Sequence, residues 1–306
     1  MLKKNHNPNA IKSTKGDRIL DIVIIILLVL ITIAVAYPLY LVAIASISDP
    51  QYISTGQVIL LPKGLNLEAY RILFDTRDIW IGYRNSLFYT VVGTFLQMLV
   101  TTAAAYGLSK KGIPGRNFFS LLFVFTMYFN GGMIPTYLTL KDYGMINTVW
   151  ALLLPTIFGP YNYIICRNYF ESSIPGEVYE SASLDGSSEF RTFAQIAVPL
   201  AKPVLAVMTL NFALGHWNTY MESMLYISND EIQSLQVFIK RITTAASASL
   251  DSGAGVIKVE DIIKQVRQTQ LLKYAVVMVS SIPMIMLYPF ISKHFVKGIM
   301  LGSVKG

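Results

Sequence analysis

Six stretches of this chain carry no charged residue and are long enough to cross a bilayer, which takes roughly 20 helical residues. They are 22–48, 85–109, 117–140, 143–166, 203–221 and 274–292. Charged residues collect between them, in short connections and in two long loops, 49–84 and 228–273. The pattern predicts an all-α integral membrane protein with six transmembrane helices. Pro38, Pro135, Pro155 and Pro283 fall inside or near the windows, where neighbouring helices can satisfy the carbonyls that proline frees. Lys3, Lys4, Lys12, Lys15 and Arg18 precede the first window. Its apolar run is too long for a secretory signal and no A-x-A site follows, so it reads as a retained first helix. In the loop 228–273, Val259, Ile262, Ile263, Val266 and Leu271 fit an amphipathic helix over Val259 to Tyr274 that leads into the sixth span. The chain shows no internal repeat and no linker, so it reads as one domain.

Composition agrees. The chain is 53% hydrophobic and 14% charged, against about 25% charged in soluble domains. Its net charge of +7 needs no nucleic acid to explain it, because basic residues set membrane topology and meet anionic lipid. The N-terminal segment holds the five cations named above, and the next connection on that side holds Lys110, Lys111 and Arg116. The opposite short connection holds only Lys141. Both termini are therefore expected in the cytoplasm. Cys166 stands alone, which excludes an internal disulfide or a cysteine metal site, and His6, His216 and His294 are scattered. No metal site is expected. No G-x-x-x-x-G-K-[ST] is present, so any ATP is bound by another chain. No catalytic constellation emerges.

The loop between the fourth and fifth windows, 171–202, is the most specific part of the sequence. Pro175 can open a short helix, and Glu177 and Glu180 then lie near its positive end. Gly186 can adopt the left-handed conformation that stops it. A second helical run, from Glu189 to about Ala197, is expected to end before Pro199. A bent helical hairpin results. An Asp-Gly turn alone is an ordinary connector, but the whole spaced pattern is much rarer. It resembles the coupling motif of membrane subunits of ATP-binding-cassette (ABC) importers: E-A-A, an Asp-Gly turn, then I-x-x-P or I-x-L-P about ten residues after the glycine. Glu180-Ser181-Ala182, Asp185-Gly186 and Ile196-Ala197-Val198-Pro199 occupy those places, with Ser181 and Val198 as mild departures.

The resemblance covers most of the chain. Ser48-Asp49-Pro50, Leu67-Glu68-Ala69-Tyr70 after Pro62, Asn85-Ser86-Leu87 and Trp217-Asn218 are similar to carbohydrate-uptake permeases of the maltose-transporter type. So is the ending from Val296-Lys297-Gly298 to Gly306. The run Phe129-Asn130-Gly131-Gly132-Met133-Ile134-Pro135-Thr136-Tyr137 resembles a subgroup associated with complex oligosaccharides and polysaccharides. The resemblance implies the smaller permease of a type I importer, in a bacterial plasma membrane. It implies three kinds of partner: a second permease, a dimer of ATPase subunits that hold ATP and magnesium, and an external sugar-binding lipoprotein. Its parts would be a cytoplasmic segment 1–18, a transmembrane domain 19–295 and a cytoplasmic tail 296–306.

Candidate residues follow. ATPase coupling falls to Glu177, Glu180, Ala182, Asp185, Gly186, Phe190, Ile196 and Pro199. In the fifth window Asn211, Gly215, Asn218 and Glu222 share a face within about 60° at 3.6 residues per turn. Polar residues inside spans are candidates for function, so this stripe could line a translocation path. Hydrogen bonding between helices is the competing reading. His216 points elsewhere on the wheel. Tyr128 and Asn130 are further path candidates, and Tyr128, Phe129, Tyr161 and Tyr163 could stack on sugar rings, although such aromatics more often pack or form interfacial belts. The tail residues Leu301, Gly302, Ser303, Val304, Lys305 and Gly306 are candidates for contact with the ATPase dimer, against simple anchoring on lipid. The leading function is ATP-driven import of an oligosaccharide, with no enzyme activity in this chain. The alternatives are an ABC permease for another solute, a secondary transporter, or a membrane enzyme. The absence of inverted repeats disfavours the second, and the missing catalytic set disfavours the third.

Overall fold

The computed structural model describes residues 14–251, 271–287 and 289. Among them the chain is helical and forms no strand; one isolated antiparallel bridge joins Ser48 to Leu65. Helix α1 (Lys15–Ser46) opens on a capping box. The Thr14 N–H donates to Asp17 Oδ2 at 2.7 Å and the Asp17 N–H donates to Thr14 Oγ1 at 3.2 Å. None of its apolar window is covered by the rest of the chain, and only Ile44, Ala45 and Ser46 are buried. An apolar surface of that length needs lipid or a partner helix against it. Short helices α2 (Pro50–Ser54) and α3 (Glu68–Asp75) follow.

Helix α4 (Arg77–Ser109) is the axis of the fold. Its buried face is built from small and hydroxylated residues, among them Ser86, Thr90, Gly93, Thr94 and Thr101. Small residues let helices approach closely where water supplies no driving force. The approach is tight at Gly93, where an added Cβ would lie 2.5 Å from the His216 ring, and at Gly82, where it would lie 2.8 Å from Phe238.

The third and fourth windows are not straight spans. α5 (Arg116–Tyr128) and α6 (Met133–Asp142) meet at 115°. Gly131-Gly132 forms the break, and Gly132 has φ +86°. The fourth window holds α7 (Trp150–Leu153), a non-helical stretch across Pro155 and Gly159, and then α8 (Pro160–Ser172). Pro160 opens α8, where its missing N–H costs nothing. Among the described residues two helices are long and apolar enough to cross a membrane, or up to four if each bent pair is one span. Helix length therefore does not yield the six expected spans.

After α8 come α9 (Gly176–Leu184), α10 (Glu189–Thr192), a π turn at Phe193–Ala197 and α11 (Val198–Leu200). The expectation that this run stops before Pro199 is corrected: the π turn widens the helix just ahead of the proline, which sits inside α11. The chain then bends by 83° into α12 (Lys202–Trp217). α13 (Met221–Tyr226) and α14 (Leu235–Asp251) follow. The last described helix, α15, is Leu271–Leu287. α14 lies in the long loop 228–273. The amphipathic helix expected from Val259 falls outside the described residues except for its end, which lies in α15, and the tail from Leu301 to Gly306 falls outside them entirely.

Three clusters hold the fold together. Tyr163, Cys166 and Phe170 of α8 pack with Met208 and Phe212 of α12. Ile79 of α4 packs with Trp217, Leu235 and Ala275. Tyr89, Leu152, Tyr226 and Ile227 form the third.

Candidate functional site

Beside α12 lies a cavity of about 870 Å³. Asn211, Gly215, Asn218 and Glu222 all line it. They do so from a broken element: α12 ends at Trp217, Asn218 is its cap with its side-chain N–H donating to the Leu214 carbonyl at 2.9 Å, and Glu222 stands on α13. A single continuous helix wheel, as drawn from the sequence, does not describe them. Asn130, from the α5–α6 break, lines the same cavity. Tyr128 is not among the lining residues and is exposed. Tyr161 is at the wall, whereas Tyr163 is fully buried, pairs with the Ser120 hydroxyl at 3.0 Å and packs edge-on to Phe123.

Sequence reasoning passed over several lining residues. His216 borders the cavity, with its ring hydrogen-bonded to Gln97 Oε1 at 3.1 Å, although the wheel turned it away. Gln97 itself is a polar residue inside the second window, so the rule that singled out Asn211 applies to it equally. Asn162 also lines the cavity, and Asn211 Nδ2 reaches its Oδ1 at a long 3.4 Å. Among the described residues the lining offers amides, hydroxyls, aromatic rings and one carboxylate, Glu222, but no lysine or arginine.

The segment after α13 is pinned by side-chain to backbone bonds. Buried Asn85 donates to the carbonyls of Glu231 and Gln233, both at 2.9 Å. Ser86 Oγ accepts the Leu235 N–H at 2.9 Å, and the Tyr89 hydroxyl donates to the Ile232 carbonyl at 2.6 Å. Asn147, in the left-handed region at φ +63°, accepts the N–H groups of Ser228 and Asn229.

The 171–202 segment folds as a helical hairpin at the other end of α4. Gly186 has φ +74° and nothing stands within 4 Å of an added Cβ. Leu184 and Phe190 flank the turn with their side chains exposed, at 89% and 78%. Two apolar side chains that bare at a turn fit a covered surface better than water. Ala182 is buried, and Tyr106 of α4 packs on Phe193 with ring centres 5.0 Å apart. Arg116 and Arg167 both bond Glu171 and the Leu108 carbonyl, tying α4, α5 and α8 together. Burial pushes the Tyr179 hydroxyl up to about 12. Burial likewise lowers the Lys110 ammonium, with Glu189 opposing the shift.

No family model matches the chain. Curated relatives do. The chain is 36% identical over 298 residues to Protein LplC of Bacillus subtilis (strain 168), covering 97% of this chain and 99% of the relative. It is 37% identical over 294 residues to the polygalacturonan/rhamnogalacturonan transport system permease protein YtcP of the same organism, covering 95% and 99%. Among solved structures, a chain from a bacterial ABC transporter involved in the import of the acidic polysaccharide alginate superposes with a TM-score of 0.81 at 32% identity, covering 94% of this chain and 100% of that one. With end-to-end identity to such relatives, this chain belongs to the carbohydrate ABC-transporter permeases and is a transport subunit, not an enzyme.

Proposed function

We propose that this chain forms half of the translocation path of an importer for an oligosaccharide delivered by an external sugar-binding protein. The observation that carries the reading is the convergence of Asn130, Asn211, Gly215, Asn218 and Glu222 on one cavity. Amide and hydroxyl groups match the hydroxyls of a sugar, and Tyr161 supplies a ring face for stacking. A second permease would complete the path, and α1 offers the apolar length to pack against it or lipid. Transport of polygalacturonan or rhamnogalacturonan by one relative, and of alginate by the transporter of the similar solved chain, supports a sugar cargo over another solute. No inverted repeat supports a secondary transporter.

The 176–200 hairpin is the proposed docking point for an ATPase dimer, which would bind ATP and magnesium. Glu177, Glu180, Asp185 and Gly186 shape its first arm and turn, while Phe190, Ile196 and Pro199 shape the second. The membrane orientation that puts both termini and this hairpin in the cytoplasm rests on the asymmetry of Lys and Arg. Six spans remain the proposed topology: α1, α4, the bent pair α5–α6, the interrupted pair α7–α8, α12 and α15. The division into 1–18, 19–295 and 296–306 and the ATPase contact of 301–306 belong to the same proposal.

Cysteine labelling tests the path. Asn218→Cys in the assembled importer is expected to react with a soluble maleimide, at a rate that changes through the transport cycle. Native Cys166 is fully buried and adds no background. Resistance of position 218 in every state would make the cavity a structural void.

A further inference from the structure

Lys110 follows the last residue of α4 and reaches into both arms of the hairpin. Its Nζ stands 3.7 Å from the centre of the Tyr179 ring on α9 and 4.8 Å from that of Tyr106 on α4. It lies 3.8 Å from Glu189 Oε2 at the start of α10. The same carboxylate oxygen accepts the Tyr106 hydroxyl at 2.9 Å. An ammonium between two ring faces and a carboxylate is held by cation–π attraction and charge together. Tyr179 contributes its ring: its hydroxyl is buried and has no hydrogen-bond partner among the described residues. One cation therefore joins the arm before the Asp185-Gly186 turn, the arm after it, and the end of α4. Gln97 lies 13 residues back along α4, about 20 Å at 1.5 Å per residue, where it borders the cavity.

We infer that Lys110 is a positioning residue that clamps both arms of the hairpin to α4, so that movement imposed on the hairpin reaches the helix bearing Gln97. The inference rests on the proposed docking of the hairpin to an ATPase. A helix is stiff along its length, so a force applied at its gripped end is carried to the other. Tyr106 of α4 also packs on both arms, and Lys110 adds the cation that draws Tyr179 and Glu189 onto the same end. Without that cation the hairpin is held more weakly, and α4 lags behind it when the ATPase moves.

The experiment uses the whole importer in proteoliposomes, with its second permease, ATPase and sugar-binding protein. Thr219→Cys, at the cavity wall, reports through a soluble maleimide before and after trapping with ATP and vanadate. The unsubstituted clamp should show a severalfold change in labelling rate on trapping. Lys110→Met and Tyr179→Leu should lose that change while the ATPase still co-purifies. Lys110→Arg, which keeps the cation, and Tyr179→Phe, which keeps the ring, should retain it. A trapped-state change that survives Lys110→Met overturns the inference. Loss of ATPase co-purification in Lys110→Met, or failure of both conservative variants, also overturns it, because Lys110 would then serve assembly or folding. Absence of any change with Lys110 and Tyr179 intact would instead defeat the path reading on which the reporter depends.

Discussion

Glycine does two opposite jobs in this chain, and substitution separates them. At Gly186 the demand is conformational. With φ +74° and open space around it, a side chain meets no neighbour, but an L-residue pays roughly 1–2 kcal/mol to hold the left-handed region. Gly186→Val should therefore displace the turn and sharply lower binding-protein-stimulated ATP hydrolysis, while Gly186→Asn keeps most of it, because asparagine visits that region. Equal activity of the two variants would mean the turn shape does not matter. At Gly93 the demand is space. Its backbone is ordinary helix, and the obstacle is the His216 ring 2.5 Å from an added Cβ. Gly93→Ala must push the ring off Gln97, at about 1–3 kcal/mol for overpacking. A lowered melting temperature of the purified permease, with a normal hairpin, is the expected result. An unchanged melting temperature would show that the ring moves freely. The sequence announces the first job through Asp185-Gly186, but nothing local to Gly93 announces the second, since its contact is 123 residues away.

At the scale of elements, the sequence shows apolar content well and helix breaks poorly. Charge-free windows locate α1 and α4. They cannot see that Gly131-Gly132 folds 117–140 back on itself, or that Pro155 and Gly159-Pro160 interrupt 143–166, although those residues were visible and are the ones that break helices. α14 is legible too: Leu235, Phe238, Ile239 and Ile242 have helical spacing. Part of the cavity's polar lining comes from helix breaks: Asn130 stands at the α5–α6 break and Asn218 at the end of α12. The anchoring of 228–235 was not legible, for it depends on side chains reaching backbone far along the chain. Asn85 illustrates it. Asn85→Leu would strand the buried Gln233 carbonyl, at about 1–3 kcal/mol for a buried group left unpaired, while Arg84 still reaches the Glu231 carbonyl at 3.0 Å. Faster proteolysis within 228–235 and a lower melting temperature should follow. Unchanged protection would mean that Ser86, Tyr89 and Asn147 hold the segment without Asn85.

For the whole molecule, charge and cargo pull in different directions. The chain is net +7, yet among the described residues no lysine or arginine lines the cavity, and the one charged lining residue there is the carboxylate of Glu222. One relative is named for transport of polygalacturonan and rhamnogalacturonan, and the similar solved chain belongs to an importer of the acidic polysaccharide alginate. A uronate passing Glu222 would meet a like charge, worth about 1 kcal/mol at 4 Å in fully aqueous surroundings and more where water is excluded. A neutral sugar would meet a hydrogen-bond acceptor instead. Glu222→Gln is therefore expected to improve transport of oligogalacturonides severalfold relative to neutral oligosaccharides of equal length, measured by competition in proteoliposomes. The amide keeps the size and the hydrogen bonding of the side chain, so uptake of a neutral sugar should change little. If the ratio of acidic to neutral uptake is the same in both proteins, Glu222 does not face the cargo, and selection by charge belongs to the second permease or the binding protein.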